Sequence, residues 1–263
     1  MSQRDLSRRK LFMHPAHPTI GVSSGLAALQ ACQSAACLGV AHQPTGPLRV
    51  CLLADSTPAR SDHSLAALKA ALKAIWNECL AGHTADYTWA FCTADHCVRG
   101  FETLDRCDCL ILLGPATIAG QPLEQIDRFC RQGGAIVGLR AMGGVFQDGS
   151  VLRTKLFGVD CEDCYDQRVL RIVRAAAADH PVLDGVDDFV APVALYRQCR
   201  LVPDASILLT AAAADGRQPV AWVRLHQGAR VFCTSLGRDD DFQVAAFRRL
   251  LGNALCWTTR RVD

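Results

Sequence analysis

From residue 48 onward the chain alternates short continuous apolar runs with longer stretches in which apolar residues recur every three or four positions. LRVCLLAD (48–55) is a run of strand formers that ends on a polar turn. SDHSLAALKAALKAIWNECL (61–80) then places Leu65, Leu68, Leu72, Ile75, Trp76 and Cys79 at helical spacing, with Ser61 or Asp62 available as cap. YTWAFCT (87–93) reads as a strand. CDCLILLGP (107–115) is an uninterrupted apolar run stopped by Gly-Pro, the pattern of a strand covered on both faces. LEQIDRFCRQGG (123–134) predicts a helix ending on glycine, and AIVGLR (135–140) the next strand. Alternation of this kind predicts an α/β fold with a mostly parallel sheet between helices.

The second half is less regular. RVLRIVRA (168–175), SILLTAA (206–212), PVAWVRL (219–225) and ARVFCTS (229–235) read as strands, the last two joined by a short turn containing Gly228. A closing helix is expected from about residue 241, with Phe247, Leu250, Leu251, Ala254 and Leu255 on one face. Its start, Asp239 to Asp241 with Gln243 following Asp240 by three residues, has the form of a capping box. There is no internal repeat or low-complexity linker, so residues 48–259 are expected to form one domain.

Composition changes the picture at the N-terminus. Residues 1–47 carry Arg4, Arg8, Arg9 and Lys10 against Asp5, while the remainder holds no basic block. A nucleic-acid footprint on the folded part is therefore not expected. SRRKLF (7–12) precedes the mildly apolar stretch 19–41, an order that resembles a twin-arginine export signal. A tail without fixed structure or a short extra helix is the alternative, so a cell-envelope and a cytoplasmic location both stay open. The apolar stretch is too weak for a stable membrane span. Of the fourteen cysteines, Cys51, Cys109, Cys233 and Cys256 lie inside apolar runs and read as buried small hydrophobes. Cys161 and Cys164 form the one Cys-x-x-Cys; without a second ligand pair, a local disulfide or two unrelated thiols is favoured over zinc.

In open parallel sheets, ligands bind beyond the carboxyl ends of the strands. The residues in those places are Asp55, Ser56 and Thr57, then Gly114 and Pro115, then RAMGG (140–144), then Gly237, Arg238 and Asp239 to Asp241. The turn after 135–139 has the position of a nucleophile elbow, but it reads Gly138-Leu-Arg-Ala-Met and holds no Ser or Cys. The glycine patterns of nucleotide sites are absent. The eight histidines show no metal spacing, so neither cofactor nor metal is expected.

PVAWVRLHQGARVFCTSLGRDDDFQVAAFRRLLGNALCW (219–257) resembles the C-terminal signature of the ThuA-like (trehalose utilisation) family. HPVLDGVDDF (180–189) and LYR (195–197) are similar to its middle segment. The resemblance, spanning about 48–258, implies a flavodoxin-like three-layer sandwich related to class I glutamine amidotransferases without their cysteine nucleophile. It also implies a role in carbohydrate use, with keto-sugars derived from disaccharides as proposed substrates. The family's Gly-His after the last strand is Gly237-Arg238 here. Gly144 stands where relatives carry histidine, and LFGVDCEDCYD (156–166) replaces a further histidine segment.

Arginine stays protonated and offers no lone pair, so it cannot replace histidine as a proton shuttle or metal ligand. Asp239, Arg238 and Arg140 are accordingly the candidate catalytic groups, an aspartate as base and arginine polarising a carbonyl. Asp55, Tyr196, Asp240 and Asp241 are the candidate sugar-binding groups. The alternative is a catalytically degenerate domain that binds a sugar or a protein partner. His180, opening a His-Pro turn, reads as structural. The oligomeric state is not legible.

Overall fold

The structure, a computed structural model, describes residues 47–55, 61–79, 85–92, 98–114, 118, 120–141, 152–162, 164–213 and 216–261. All lie within one compact unit, Gln43–Asp263. The expected leader and Gly144 fall outside the described residues.

The first half forms β1 (Leu48–Asp55), α1 (Ser61–Cys79), β2 (Ala85–Cys92), the short β3 (Val98–Arg99), β4 (Cys109–Leu113), α2 (Gln121–Arg131) and β5 (Ala135–Leu139). With the later β12 (Ala229–Thr234), the main strands lie side by side in the order β2-β1-β4-β5-β12, all parallel. This is the strand order of flavodoxin-like sheets. Every residue of β4 and β5 is buried, because helices cover both faces of the sheet. Successive side chains point to opposite faces. Leu52, Ile111 and Val137 therefore pack with Leu68, Leu72 and Ile75 of α1 and with Phe247, Leu250 and Leu251 of α3 (Ala245–Thr258). Their neighbours Leu53, Leu110 and Ile136 pack with Ile126, Phe129 and Cys130 of α2. Each fully buried Leu, Ile or Phe contributes roughly 1.5–3 kcal/mol, so the two clusters hold the three layers together.

Between β5 and β12 the chain builds an antiparallel extension: β7 (Cys164–Arg174), β8 (Phe189–Tyr196), β10 (Ser206–Ala213) and β11 (Gly216–His226). They continue the sheet in the order β12-β11-β10-β7-β8, while β6 (Val159–Asp160) and β9 (Arg200–Leu201) pair separately. The expected strand 168–175 thus starts earlier, at Cys164. β8 was not foreseen as a strand. It carries Pro192 opposite Val169 and lies at the edge of the sheet, where a residue without an N–H is tolerated. The β11–β12 hairpin has the expected tight turn, with Gln227 at φ 52° and Gly228 at φ 95°.

This half curls. Gln218 of β11 accepts from the Tyr196 N–H at 2.8 Å and donates to Ala194 O at 2.8 Å, although β10 and β7 separate β11 from β8 within the sheet. The buried amide of Gln218 thereby fixes Tyr196.

The last helix differs from expectation. Asp241–Gln243 form a separate 3-10 turn, and α3 begins at Ala245 with Val244 as its uncapped start. The Asp240–Gln243 capping box does not form: Asp240 has helical φ and ψ and makes no side-chain cap bond. Among the described residues, no helix is long and apolar enough to cross a membrane.

Candidate functional site at the strand carboxyl ends

Ala54, Leu113, Leu139 and Thr234 stand in one row across β1, β4, β5 and β12. Asp55, Gly114, Arg140 and Ser235 follow them in the chain and so open the carboxyl edge. Neighbouring strands lie about 4.8 Å apart, so Asp55, the last residue of β1, stands about 10 Å across the edge from Arg140.

Arg140 leaves β5 at φ 55°. A left-handed conformation in a non-glycine residue costs roughly 1–3 kcal/mol and persists only where neighbours enforce it. Here the Arg140 N–H donates to Leu236 O at 2.8 Å and the Ala141 N–H to Thr234 O at 2.9 Å. Thr234 is fully buried, and its hydroxyl donates to Val220 O at 2.9 Å and accepts from the Leu236 N–H at 3.1 Å. Arg140 therefore holds a left-handed turn directly after β5, the place where a nucleophile elbow sets its nucleophile. Gly138 is needed just before it, since a Cβ there would lie 2.9 Å from the Phe157 ring.

Gly237 carries the chain over Arg140. Its φ is 126°, and a Cβ would meet Leu139 Cβ at 3.0 Å and Arg140 Cγ at 3.4 Å. Only glycine allows this approach. Asp241 then locks the loop: its Oδ2 accepts from the Gly237 N–H at 2.8 Å and the Arg238 N–H at 2.9 Å. Asp241 is 1% exposed. Burial raises its carboxyl above the usual range, opposed by those two N–H bonds and by Arg238. The capping role expected of Asp240 thus belongs to Asp241, which caps the loop rather than the helix.

The other aspartates do different things. Asp240 is exposed. Asp239 keeps a buried Oδ1 that has no hydrogen-bond partner among the described residues, as do Asp241 Oδ1 and the Ser235 hydroxyl. Tyr196 is 8% exposed and completes the corner. Burial pushes its phenol up to about 12, the thiols of Cys164 and Cys161 add to this, and Arg140 and Arg238 pull the other way. Both arginines therefore act on the Tyr196 hydroxyl. The structure brings Arg140, Arg238, Tyr196, Asp239 and Asp241 to one corner, with Asp240 at its rim and Asp55 across the edge. Sequence reading missed Ser235, Thr234 and Gln218; a Thr-Ser pair ending the last parallel strand was the available signal.

Other candidates lie elsewhere. His180 Nδ1 accepts from the Val182 N–H at 3.2 Å, and its ring meets Trp257 edge-on at 4.8 Å. Arg230, near the start of β12, donates to Trp257 O, which places His180 roughly 13 Å of strand away from the carboxyl edge. Burial, with Arg230, lowers its imidazole to about 4, as suits a neutral cap. Cys161 and Cys164 are not in a disulfide. A cavity of about 270 Å³ lined by Asp127, Cys130, Lys155, Leu156, His226 and Gln227 lies beside the β11–β12 turn, at the opposite edge from the charged corner. The site is placed here by the strand ends, because Ser235, Asp239 and Asp241 there carry buried oxygens without a partner among the described residues, close in the chain to Arg238. Among the described residues, no group of three or more His, Cys, Asp or Glu is placed to hold a metal ion.

Residues 57–258 match the profile of the trehalose utilisation family, ThuA. This chain belongs to the ThuA family. That membership gives it a carbohydrate-related function in general terms. The ThuA domain is similar in structure to a putative ThuA-like protein from Parabacteroides merdae, with a TM-score of 0.61 at 16% identity over 81% of this chain and 90% of that one. A putative ThuA-like protein from Bacteroides uniformis gives a TM-score of 0.61 at 17% identity, over 84% and 95%. A beta-galactosidase from Rahnella sp. R3 gives 0.54 at 17%, over 82% of this chain and 32% of that chain. At these identities the likeness concerns the fold. No curated protein matches the ThuA chain.

Proposed function

We propose that this ThuA protein binds a sugar at the carboxyl edge of its parallel strands and performs acid/base chemistry on a keto-sugar derived from a disaccharide. The reading rests chiefly on Arg140 and Arg238, which both act on the buried Tyr196, together with Asp239, the residue after Arg238, whose buried Oδ1 has no partner among the described residues. In this scheme Asp239 takes a proton from the carbon next to the ketone. The electron pair moves onto the carbonyl oxygen, and the guanidinium N–H groups of Arg238 and Arg140 hold the resulting charge. Return of the proton to the opposite face of the same carbon gives an epimer; return to the former carbonyl carbon, with the adjacent hydroxyl proton passing to the former carbonyl oxygen, gives an isomer. Asp241, Asp240, Tyr196 and Asp55 take the sugar hydroxyls.

Among the described residues, the edge carries neither histidine nor a nucleophilic cysteine, and this favours a second reading, a sugar-binding protein without turnover. Calorimetry and NMR product detection on the full chain, with 3-keto-disaccharides and their parent sugars, separate the two. Heat and product, both lost in Arg238→Ala, support catalysis. Heat without product leaves only binding, and no heat with any sugar overturns both readings.

A further inference from the structure

The first cysteine of the Cys-x-x-Cys segment faces a partner other than the second. β6 and β9 pair antiparallel, Val159 with Leu201 and Asp160 with Arg200. One step before them, the Val202 N–H donates to Gly158 O at 2.9 Å, so Gly158 and Val202 are a hydrogen-bonded pair. Such pairs alternate with pairs that are not hydrogen-bonded. Asp160–Arg200 is therefore of the first kind, and the next place, held by Cys161, is of the second. There the opposite strand carries one extra residue. Gln198 stands at φ 49°, and the Glu162 N–H donates to Arg197 O at 2.9 Å, so Gln198 and Cys199 together oppose Cys161.

Burial decides which of the two shares its face. Asp160, Glu162, Gln198 and Arg200 are exposed. Val159, Cys161, Cys199 and Leu201 all pack on the apolar cluster of the α2 layer. Cys199 is thus the residue across from Cys161, with both side chains on the inner face. Opposed residues in an antiparallel pair have Cα atoms about 4.5–5.5 Å apart, inside the span of about 4.4–6.8 Å that a disulfide bridges. Cys164 is turned elsewhere: it is exposed, lies opposite Tyr196 in β8, and its Sγ donates to Asp166 O at 3.2 Å.

We propose that Cys161 and Cys199 are a disulfide-forming pair, a covalent tie between β6 and β9 that closes the turn following Tyr196. The oxidant is a small-molecule disulfide. Cys199, half-buried where Cys161 is only 6% exposed, is the sulfur it reaches first. Cys199 gives its proton to solvent and attacks one sulfur of the small disulfide, and the other leaves as a thiolate that takes up a proton. Cys161 then loses its proton and attacks the Cys199 sulfur, and the second small thiol leaves and is protonated in turn. One small disulfide is reduced to two thiols as the two protein thiols are oxidised. Burial pushes the Cys199 thiol up to about 12, with Cys161 adding to the rise. The first step is accordingly slow, whereas the finished disulfide carries no charge to desolvate, which suits a structural bridge better than a rapid switch.

The test is thiol mapping by mass spectrometry on the full chain, held with oxidised glutathione at pH 8.5 until its thiol content is constant. A Cys161–Cys199 crosslink is expected, removed by reductant. Its formation should raise the midpoint of thermal unfolding by roughly 5–10 °C over the reduced chain. Cys161 and Cys164 lie on one peptide between Lys155 and Arg168. Cys164→Ser therefore identifies the sulfur, and the crosslink should persist in it. In Cys161→Ser, glutathione should remain on Cys199 as a stable mixed disulfide. A Cys161–Cys164 bridge, a crosslink of either residue to any other cysteine, or both thiols still alkylated after unfolding overturns the proposal. So does a crosslink that leaves the unfolding midpoint unchanged or lowers it. The wild-type crosslink and its thermal shift decide the matter even if a variant fails to fold.

Discussion

Replacing Asp241 distinguishes what the loop needs for folding from what the site needs for chemistry. In Asp241→Ala, the Gly237 and Arg238 N–H groups lose the oxygen that both now reach at 2.8 and 2.9 Å. A buried donor left unpaired costs about 1–3 kcal/mol. Removing a buried carboxylate recovers part of this, because burial is the main influence on that group. The net expectation is a loss of about 2–3 kcal/mol, which at a urea dependence of about 2 kcal/mol per molar moves the midpoint down by roughly 1 M. Asp241→Asn keeps one oxygen for both donors and removes the charge, so it should stay within about 1 kcal/mol of wild type at pH 7. The sign with pH follows from the raised carboxyl. The folded state binds the proton more tightly than the unfolded one, so wild-type stability falls as pH rises through that raised value, and the asparagine variant lacks the fall. Urea titrations of the three proteins at several pH values provide the assay. An alanine variant within about 0.5 kcal/mol of wild type would refute the assignment of Asp241 as the lock of the loop.

Other perturbations test neighbouring parts of the account. Gly237→Ala forces a side chain into φ 126° and toward Leu139, and should cost about 1–3 kcal/mol in thermal unfolding. Gly138→Ala drives a methyl into the Phe157 ring, and should cost about 1–3 kcal/mol. His180 has its imidazole lowered to about 4, so the unfolded chain binds the proton first. Wild-type stability should then decline as pH falls from about 6.5 towards 4, and His180→Gln should flatten that limb in acid titrations followed by circular dichroism. Trp222→Phe removes the indole bond to Phe157 O at 2.8 Å, and should cost about 1–3 kcal/mol in urea unfolding.

The parallel half of the sheet was legible because β4 and β5 are continuous apolar runs closed by Gly-Pro or followed by a sharp turn, and only a strand covered on both faces tolerates that composition. The curl of the antiparallel half was not legible. It depends on the Gln218 amide reaching Tyr196 and Ala194 across strands that no local pattern orders. The charged corner was visible as a place, since strand ends bind ligands, but the division of labour among its aspartates was not. Asp240 and Gln243 have capping-box spacing, yet the demand of the Gly237 and Arg238 N–H groups above Arg140 draws in Asp241 instead. Likewise the segment 138–142 holds no Ser or Cys, and nothing in it reveals that Arg140 adopts a left-handed backbone. That conformation is held by the carbonyls of Thr234, at the end of the neighbouring β12, and of Leu236, just past it.

The most direct test of the central claim is an NMR time course in heavy water of a 3-keto-disaccharide with the full chain, following the proton on the carbon next to the ketone. The account predicts loss of that signal far faster than in buffer, with the loss abolished in Asp239→Asn and sharply slowed in Arg238→Ala. Exchange that continues unchanged in both variants, or a wild-type rate equal to buffer despite measurable binding, contradicts acid/base chemistry at this corner.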